Sequence, residues 1–195
     1  MQKDKKDIAV PTIEEIETER SRINYQSRFK SVIKSTVYTL IVVAAVAILS
    51  ATLFLPFLRI YGTSMTPTLV DGDIICCLKT SDFEPGDIVA FYYNNKILVK
   101  RVIGSAGDWV DMDSNGTVFV NGELLYEPYI VDKALGEGDI EFPYQVPDGK
   151  IFVLGDHRSS SVDSRHSSVG CVADEQIVGK ILFRVWPLSE IEIFS

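Results

Sequence analysis

Hydrophobic and polar positions divide this chain into three stretches with different patterns. Residues 1–34 alternate charge, hold no aromatic before Tyr25, and carry an Ile13-Glu14-Glu15-Ile16-Glu17 spacing that suits a helix. From Ser35 to Leu58 no residue is charged, and the run is bracketed by Lys34 and Arg59. It is apolar all round, unlike the amphipathic helix of a soluble core, and its 24 residues exceed the roughly 20 needed to cross the hydrocarbon of a bilayer. This predicts a transmembrane helix over 35–58. Beyond Arg59 the pattern shortens to β-branched and aromatic runs bounded by Gly, Pro, Asn or Asp: 73–78, 87–93, 97–103, 150–154 and 177–186. Tight turns are expected at Asn94-Asn95, Asn115-Gly116 and Asn121-Gly122, the two Asn-Gly pairs favouring type I′ geometry.

The fold class that follows is mainly β: an antiparallel sheet core preceded by one N-terminal transmembrane helix. Residues 106–147, rich in carboxylates and holding both Asn-Gly turns, read as a small β insertion between core segments 59–105 and 148–195. The 137 residues from 59 onward suit one domain with a single core. Asn115-Gly116-Thr117 matches a glycosylation sequon, but a turn entering a strand accounts for it. A cleavable secretory signal fits less well, because the apolar run is long and follows 34 mostly polar residues.

Charge sets orientation and narrows the partners. In the twenty residues before the apolar run stand Arg20, Arg22, Arg28, Lys30 and Lys34, whereas in residues 59–78 only Arg59 does. The positive-inside rule places residues 1–34 in the cytoplasm and 59–195 outside. Residues 59–195 hold 11 Lys plus Arg against 21 Asp plus Glu, which argues against nucleic acid as a partner. Cys76, Cys77 and Cys171 are an odd set; adjacent strand residues point to opposite faces, so at most one of the first two could bridge to Cys171, and buried free thiols are expected. Both histidines lie in one loop and no paired Cys and His pattern is present, so neither a metal nor a cofactor is expected.

The candidate chemistry is a serine and a lysine. Ser64 lies six residues beyond the apolar run, within roughly 20 Å of the bilayer even with the chain extended. A serine hydroxyl needs a base, and a lysine serves only when neutral, a state that burial promotes. In the strand 97–103, Lys100 shares a face with Leu98 and Val102, which would provide an apolar bed. A pKa lowered by about two to three pH units would cost about 3 to 4 kcal/mol, which the fold must supply.

Four ordered motifs go further. They are Gly62-x-Ser64-Met65-x-Pro67-Thr68-Leu69, Pro85-Gly86-Asp87-Ile88-Val89, Lys100-Arg101-Val102-Ile103-Gly104 with Gly107-Asp108, and Gly155-Asp156-x-Arg158 followed by Val162-Asp163-Ser164-Arg165. Following a membrane anchor in this order, they resemble the motif boxes of bacterial type I signal peptidases, over residues 35 to 187. The resemblance implies a membrane serine endopeptidase that removes N-terminal signal peptides from exported preproteins at small-x-small sites. Ser64 would be the nucleophile and Lys100 the general base, and then the acid toward the leaving amine. Ser161 would hydrogen-bond and orient the lysine amine, and Asp163 and Arg165 would form a supporting ion pair. Gly155 and Asp156 would serve backbone geometry. Ile60, Met65, Leu98 and Val99 would line small side-chain pockets beside a substrate strand. Secretory preproteins, the lipid bilayer and the protein-export translocon are the implied partners.

Two departures qualify the match. Gly62 stands where part of the family has a hydroxyl that helps the oxyanion hole, so the Ser64 amide should carry more of that task, as in Gram-positive-type members. His157 replaces the usual asparagine, which keeps open a triad of His157 or His166 with Asp163. A signal-peptidase-like factor for pilus or surface-protein assembly should lack the serine or the lysine. A self-cleaving Ser/Lys repressor should carry a DNA-binding module, and no helix-turn-helix pattern is present.

Overall fold

The computed structural model describes residues 12–194, and the chain comprises two units, 1–50 and 51–195. The first is dominated by α1 (Ile13–Phe54), which starts on a capping box: the Thr12 amide donates to Glu15 Oε2 at 3.0 Å and the Glu15 amide to Thr12 Oγ1 at 3.4 Å. The helix includes the charged 13–34 stretch as well as the apolar one. Leu40, Ile41, Val43, Ile48 and Leu49 lie exposed on it. Its most apolar 18-residue window has a mean hydropathy of 2.2, and α1 is long and apolar enough to cross a membrane.

The helix stops four residues short of the apolar run expected at 35–58. Pro56 has no N–H to continue it, and its carbonyl instead accepts from the Cys77 amide at 2.9 Å. Phe57 and Leu58, expected to be helical, join Arg59 in a strand, so their apolarity serves a sheet edge.

The second unit contains β1 (Phe57–Arg59), β2 (Ile74–Leu78), β3 (Ile88–Tyr93), β4 (Lys96–Gly104), β5 (Trp109–Met112), β6 (Val118–Val120), β7 (Glu123–Leu124), β8 (Tyr144–Gln145), β9 (Lys150–Leu154), β10 (Val172–Ala173), β11 (Ile177–Trp186) and β12 (Glu192–Ile193). Eight form one sheet in the order β1-β2-β11-β3-β4-β9-β10, with β12 added to β11, and four form a second in the order β7-β6-β5-β8. Every pairing is antiparallel. The mainly β, antiparallel fold class read from the sequence is the one observed.

Strand alternation builds the core. Ile88 and Ala90 join Ile60, Met65, Leu69, Ile75, Cys77 and Ile181 on one side, while Val89 and Phe91 join Val102, Ile151, Val153 and Val172 on the other. A third cluster of Ile103, Val110, Met112, Val118, Val146, Phe152, Leu154 and Cys171 fastens the smaller sheet to the larger. All three cysteines are buried and free.

The turns divide. Asn121 and Gly122, with φ of 54° and 82°, join β6 to β7 with the two positive φ values that type I′ requires. At Asn115-Gly116 only Gly116 has a positive φ, and the expected type I′ turn is not formed. Asp113 Oδ1 accepts from the amides of Asn115 and Thr117 at 2.9 and 2.7 Å, so a carboxylate-capped loop takes its place.

Candidate active site

Ser64 sits in the loop between β1 and β2, and that loop is held at both ends. The Ile60 amide donates to Asp73 O at 2.8 Å, the Gly72 amide to Ile60 O at 3.0 Å, and the Gly62 amide to Asp71 Oδ1 at 2.8 Å. Met65 and Leu69 are buried in the core below, which leaves Ser64 half-buried at the rim. Gly62 has a φ of 93°, a conformation that a residue with a Cβ rarely adopts.

Lys100, on β4, is 2% exposed, and its Nζ lies 2.8 Å from Ser64 Oγ and 3.0 Å from the Val99 carbonyl. Its cross-strand partner Val89 and its same-face neighbours Leu98 and Val102 belong to one apolar cluster, the bed that alternation predicted. Burial lowers the Lys100 pKa from its ordinary 10.5 to about 8; Asp163 and Asp156 pull it back up, and Arg165 adds to the depression. No carboxylate is within ion-pair distance of the amine among the described residues. The amine is therefore accessible in its neutral form near physiological pH.

The serine and the lysine share a groove of about 790 Å³. Ile60, Met65, Leu98 and Val99, the candidate pocket residues, all line it. Its two flanks are strand edges. β1 ends the sheet, and β4 pairs with β3 from Lys96 to Arg101 but meets β9 only from Arg101 onward, so one edge of residues 96–100 is open.

Behind the pair, Gly155 lies so close to Ser161 that a Cβ there would collide with the Ser161 side chain and would meet the Ser64 carbonyl at 2.6 Å. The His157 amide donates to that same carbonyl at 3.1 Å. Ser161 is thus brought to the site, but the expected bond to Lys100 is absent: its Oγ is buried without a hydrogen-bond partner, and the lysine donates to Ser64 and Val99 instead. Asp163 and Arg165 form a bidentate pair, with Nε to Oδ1 and Nη2 to Oδ2 both at 2.8 Å, and it is fully buried rather than solvated. Burial pushes the Asp163 carboxyl up, but the Arg165 guanidinium, helped by the hydrogen bond from the Gly155 amide, holds the pKa below the ordinary value.

The histidines do not assemble a triad. His157 Nδ1 lies 3.1 Å from Thr66 Oγ1, and His166 Nδ1 is buried without a partner. The described residues contain no cluster of His, Cys, Asp or Glu able to hold a metal ion. Sequence reasoning missed the buried polar layer under the site. Arg101 pairs with Asp156 through Nε to Oδ1 at 2.9 Å and Nη2 to Oδ2 at 2.7 Å, and Arg158 pairs with Glu127. Glu127 and Tyr129 belong to the region read as an insertion, where nothing in the local sequence distinguishes them from its many other polar residues.

A hydroxyl against a buried, readily neutralised amine, in a groove with open strand edges, is an arrangement suited to nucleophilic attack by the serine. The family model for signal peptidase, peptidase S26, matches residues 32–186, and the chain belongs to that family of serine proteases. It is 42% identical to signal peptidase IB of Staphylococcus aureus over 151 residues, covering 67% of this chain and 78% of that protein. It is 38% identical to signal peptidase I of Bacillus licheniformis over 166 residues, covering 78% and 87%. A crystal structure of a signal peptidase I from Enterococcus faecalis V583 overlays with a TM-score of 0.42 at 30% identity, covering 51% of this chain and 96% of that one.

Proposed function

We propose that this chain removes N-terminal signal peptides from exported preproteins, cutting after small-x-small sites, with Ser64 as nucleophile and Lys100 as general base. The observation that carries the reading is the 2.8 Å approach of Lys100 Nζ to Ser64 Oγ, with the amine's pKa lowered to about 8. The neutral amine accepts the Ser64 hydroxyl proton as Oγ attacks the scissile carbonyl. The ammonium, surrounded by apolar side chains, then returns that proton to the leaving amine nitrogen. The Ser64 amide stabilises the oxyanion. Ser161, whose hydroxyl has no other partner, accepts from the amine as it turns, and the Asp163–Arg165 pair holds the loop beneath it. Water, activated by the same amine, releases the acyl group.

The groove supports substrate binding by strand addition. An extended segment paired with residues 57–60 and 96–100 would place alternate side chains over Ile60, Met65, Leu98 and Val99. The anchor is the apolar half of α1. Residues 35–54 rise about 30 Å, the thickness of the hydrocarbon, with residues 1–34 in the cytoplasm and 59–195 outside. In this arrangement the lipid bilayer and the translocon bring the preprotein to the site. No observation favours a non-cleaving assembly factor.

The test is product mapping by mass spectrometry on a small-x-small preprotein, with wild type, Ser64→Ala, Lys100→Ala and His157→Ala in detergent. Cleavage after the small-x-small site by wild type and His157→Ala alone is expected. Cleavage by Lys100→Ala that is lost in His157→Ala would replace the dyad with a triad.

A further inference from the structure

Segment 127–129, in the connection from β7 to β8, reaches under the active site from the smaller sheet and makes two contacts there. Glu127 is buried and takes the guanidinium of Arg158, while the Tyr129 hydroxyl donates to Glu127 Oε1 at 3.0 Å. Arg158 in turn donates from Nε to the Gly155 carbonyl at 3.1 Å. Gly155 backs Ser161 and the Ser64 carbonyl, and the neighbouring His157 amide holds that carbonyl. The second contact is the Tyr129 ring, which lies 3.8 Å beneath the Arg101 guanidinium. Arg101 follows Lys100 directly and is held from its other side by Asp156, which also accepts from Thr68 Oγ1 at 2.5 Å.

The serine loop and the lysine strand are far apart in sequence, and both lead to the same short connecting segment, the strand directly through Arg101 and the loop through His157, Gly155 and Arg158. We propose that Glu127 and Tyr129 are positioning residues that set the Ser64 to Lys100 approach, Glu127 through Arg158 and Gly155, and Tyr129 through Arg101. A displacement of the order of 1 Å between reacting groups costs about a hundredfold in rate, so partial loosening should lower turnover well before it unfolds the domain. The inference rests on the Ser64–Lys100 reading of the site.

The experiment measures kcat and KM of the full chain in detergent on a small-x-small preprotein peptide. Tyr129→Leu removes the ring face; kcat should fall about tenfold while KM stays within about twofold. Tyr129→Phe keeps the ring and should recover most of kcat. The pH midpoint of kcat should also rise in Tyr129→Leu. Asp156, less closely matched by Arg101, then adds to the pull that it and Asp163 already exert on the Lys100 proton against Arg165, a shift that loss of stability alone does not produce. Wild-type kcat in Tyr129→Leu, or a loss confined to KM, overturns the inference. Should Tyr129→Leu fail to fold, the paired variant Glu127→Met with Arg158→Met removes both buried charges together and decides in its place: a tenfold lower kcat supports the role and an unchanged kcat overturns it. Ser64→Ala in the same series separates the two claims, since its activity reports on the dyad alone.

Discussion

Lys100 and Arg101 are neighbours on one strand, and they have opposite electrostatic surroundings. Arg101 meets a bidentate carboxylate and an aromatic face; nearby, Arg158 and Arg165 are each matched to a buried acid. Lys100 is as deeply buried but faces a hydroxyl, a carbonyl and aliphatic side chains. Arg101 meets a matched acid, and Lys100 sits where burial favours loss of its proton. The difference lies in where the carboxylates stand: Asp156 and Asp163 are near enough to act on the lysine through space, yet each is committed to a guanidinium.

The comparison is broken most completely by exchanging the two chemistries. Lys100→Arg puts a group that does not deprotonate in proteins at the proposed base position. Cleavage should fall about a thousandfold or more in a single-turnover assay, as it should for Lys100→Ala. Next in size is the loss of a matching acid. Asp163→Asn strands Arg165, at 1% exposure, without its counter-charge, and should destabilise the domain by about 3 to 5 kcal/mol, read from denaturant midpoints.

The opposite sign is expected where there is no acid to lose. The fall of the Lys100 pKa from 10.5 to about 8 means that its burial costs about 3 kcal/mol at neutral pH. Lys100→Met should therefore be inactive and more stable by up to that amount. Because the folded pKa lies below the unfolded one, the unfolded chain binds more protons between pH 8 and 10.5. The Lys100 contribution to stability thus rises with pH across that window, and the cost is felt in full below it. Wild-type kcat/KM should climb through about pH 8 as the base becomes neutral, then level off. The smallest effect belongs to His157→Ala, which removes one hydrogen bond to Thr66 and should change kcat/KM by less than about tenfold.

Much of this architecture was legible because strand signals here are local. The runs at 150–154 and 177–186 coincide with β9 and β11, and the other three are met within one residue at each end. The Ser64 and Lys100 positions were legible through motif order and through the alternation that places Leu98 and Val102 beside the lysine. The end of α1 was not, because the apolar character of residues 55–58 is the same whether lipid or a sheet edge receives it; the pairing of Phe57 with Cys76 decides it. The Glu127–Arg158 pair was also hidden, since its partners stand 31 residues apart and only the tertiary fold joins them. Ser161 lies behind the Ser64–Lys100 pair, but whether its hydroxyl is engaged depends on which of three acceptors the lysine chooses, a matter of side-chain geometry.

The unpaired edge of residues 96–100 has one more implication. Main-chain amides and carbonyls are the same in every polypeptide, so a strand docking there is read for being extended and not for its spelling. On the proposed mode of binding, tolerance would be a property of the backbone ladder, and rejection would fall to the few side-chain seats next to Ser64. An enzyme built this way can serve clients with no common sequence and still cut each at one bond.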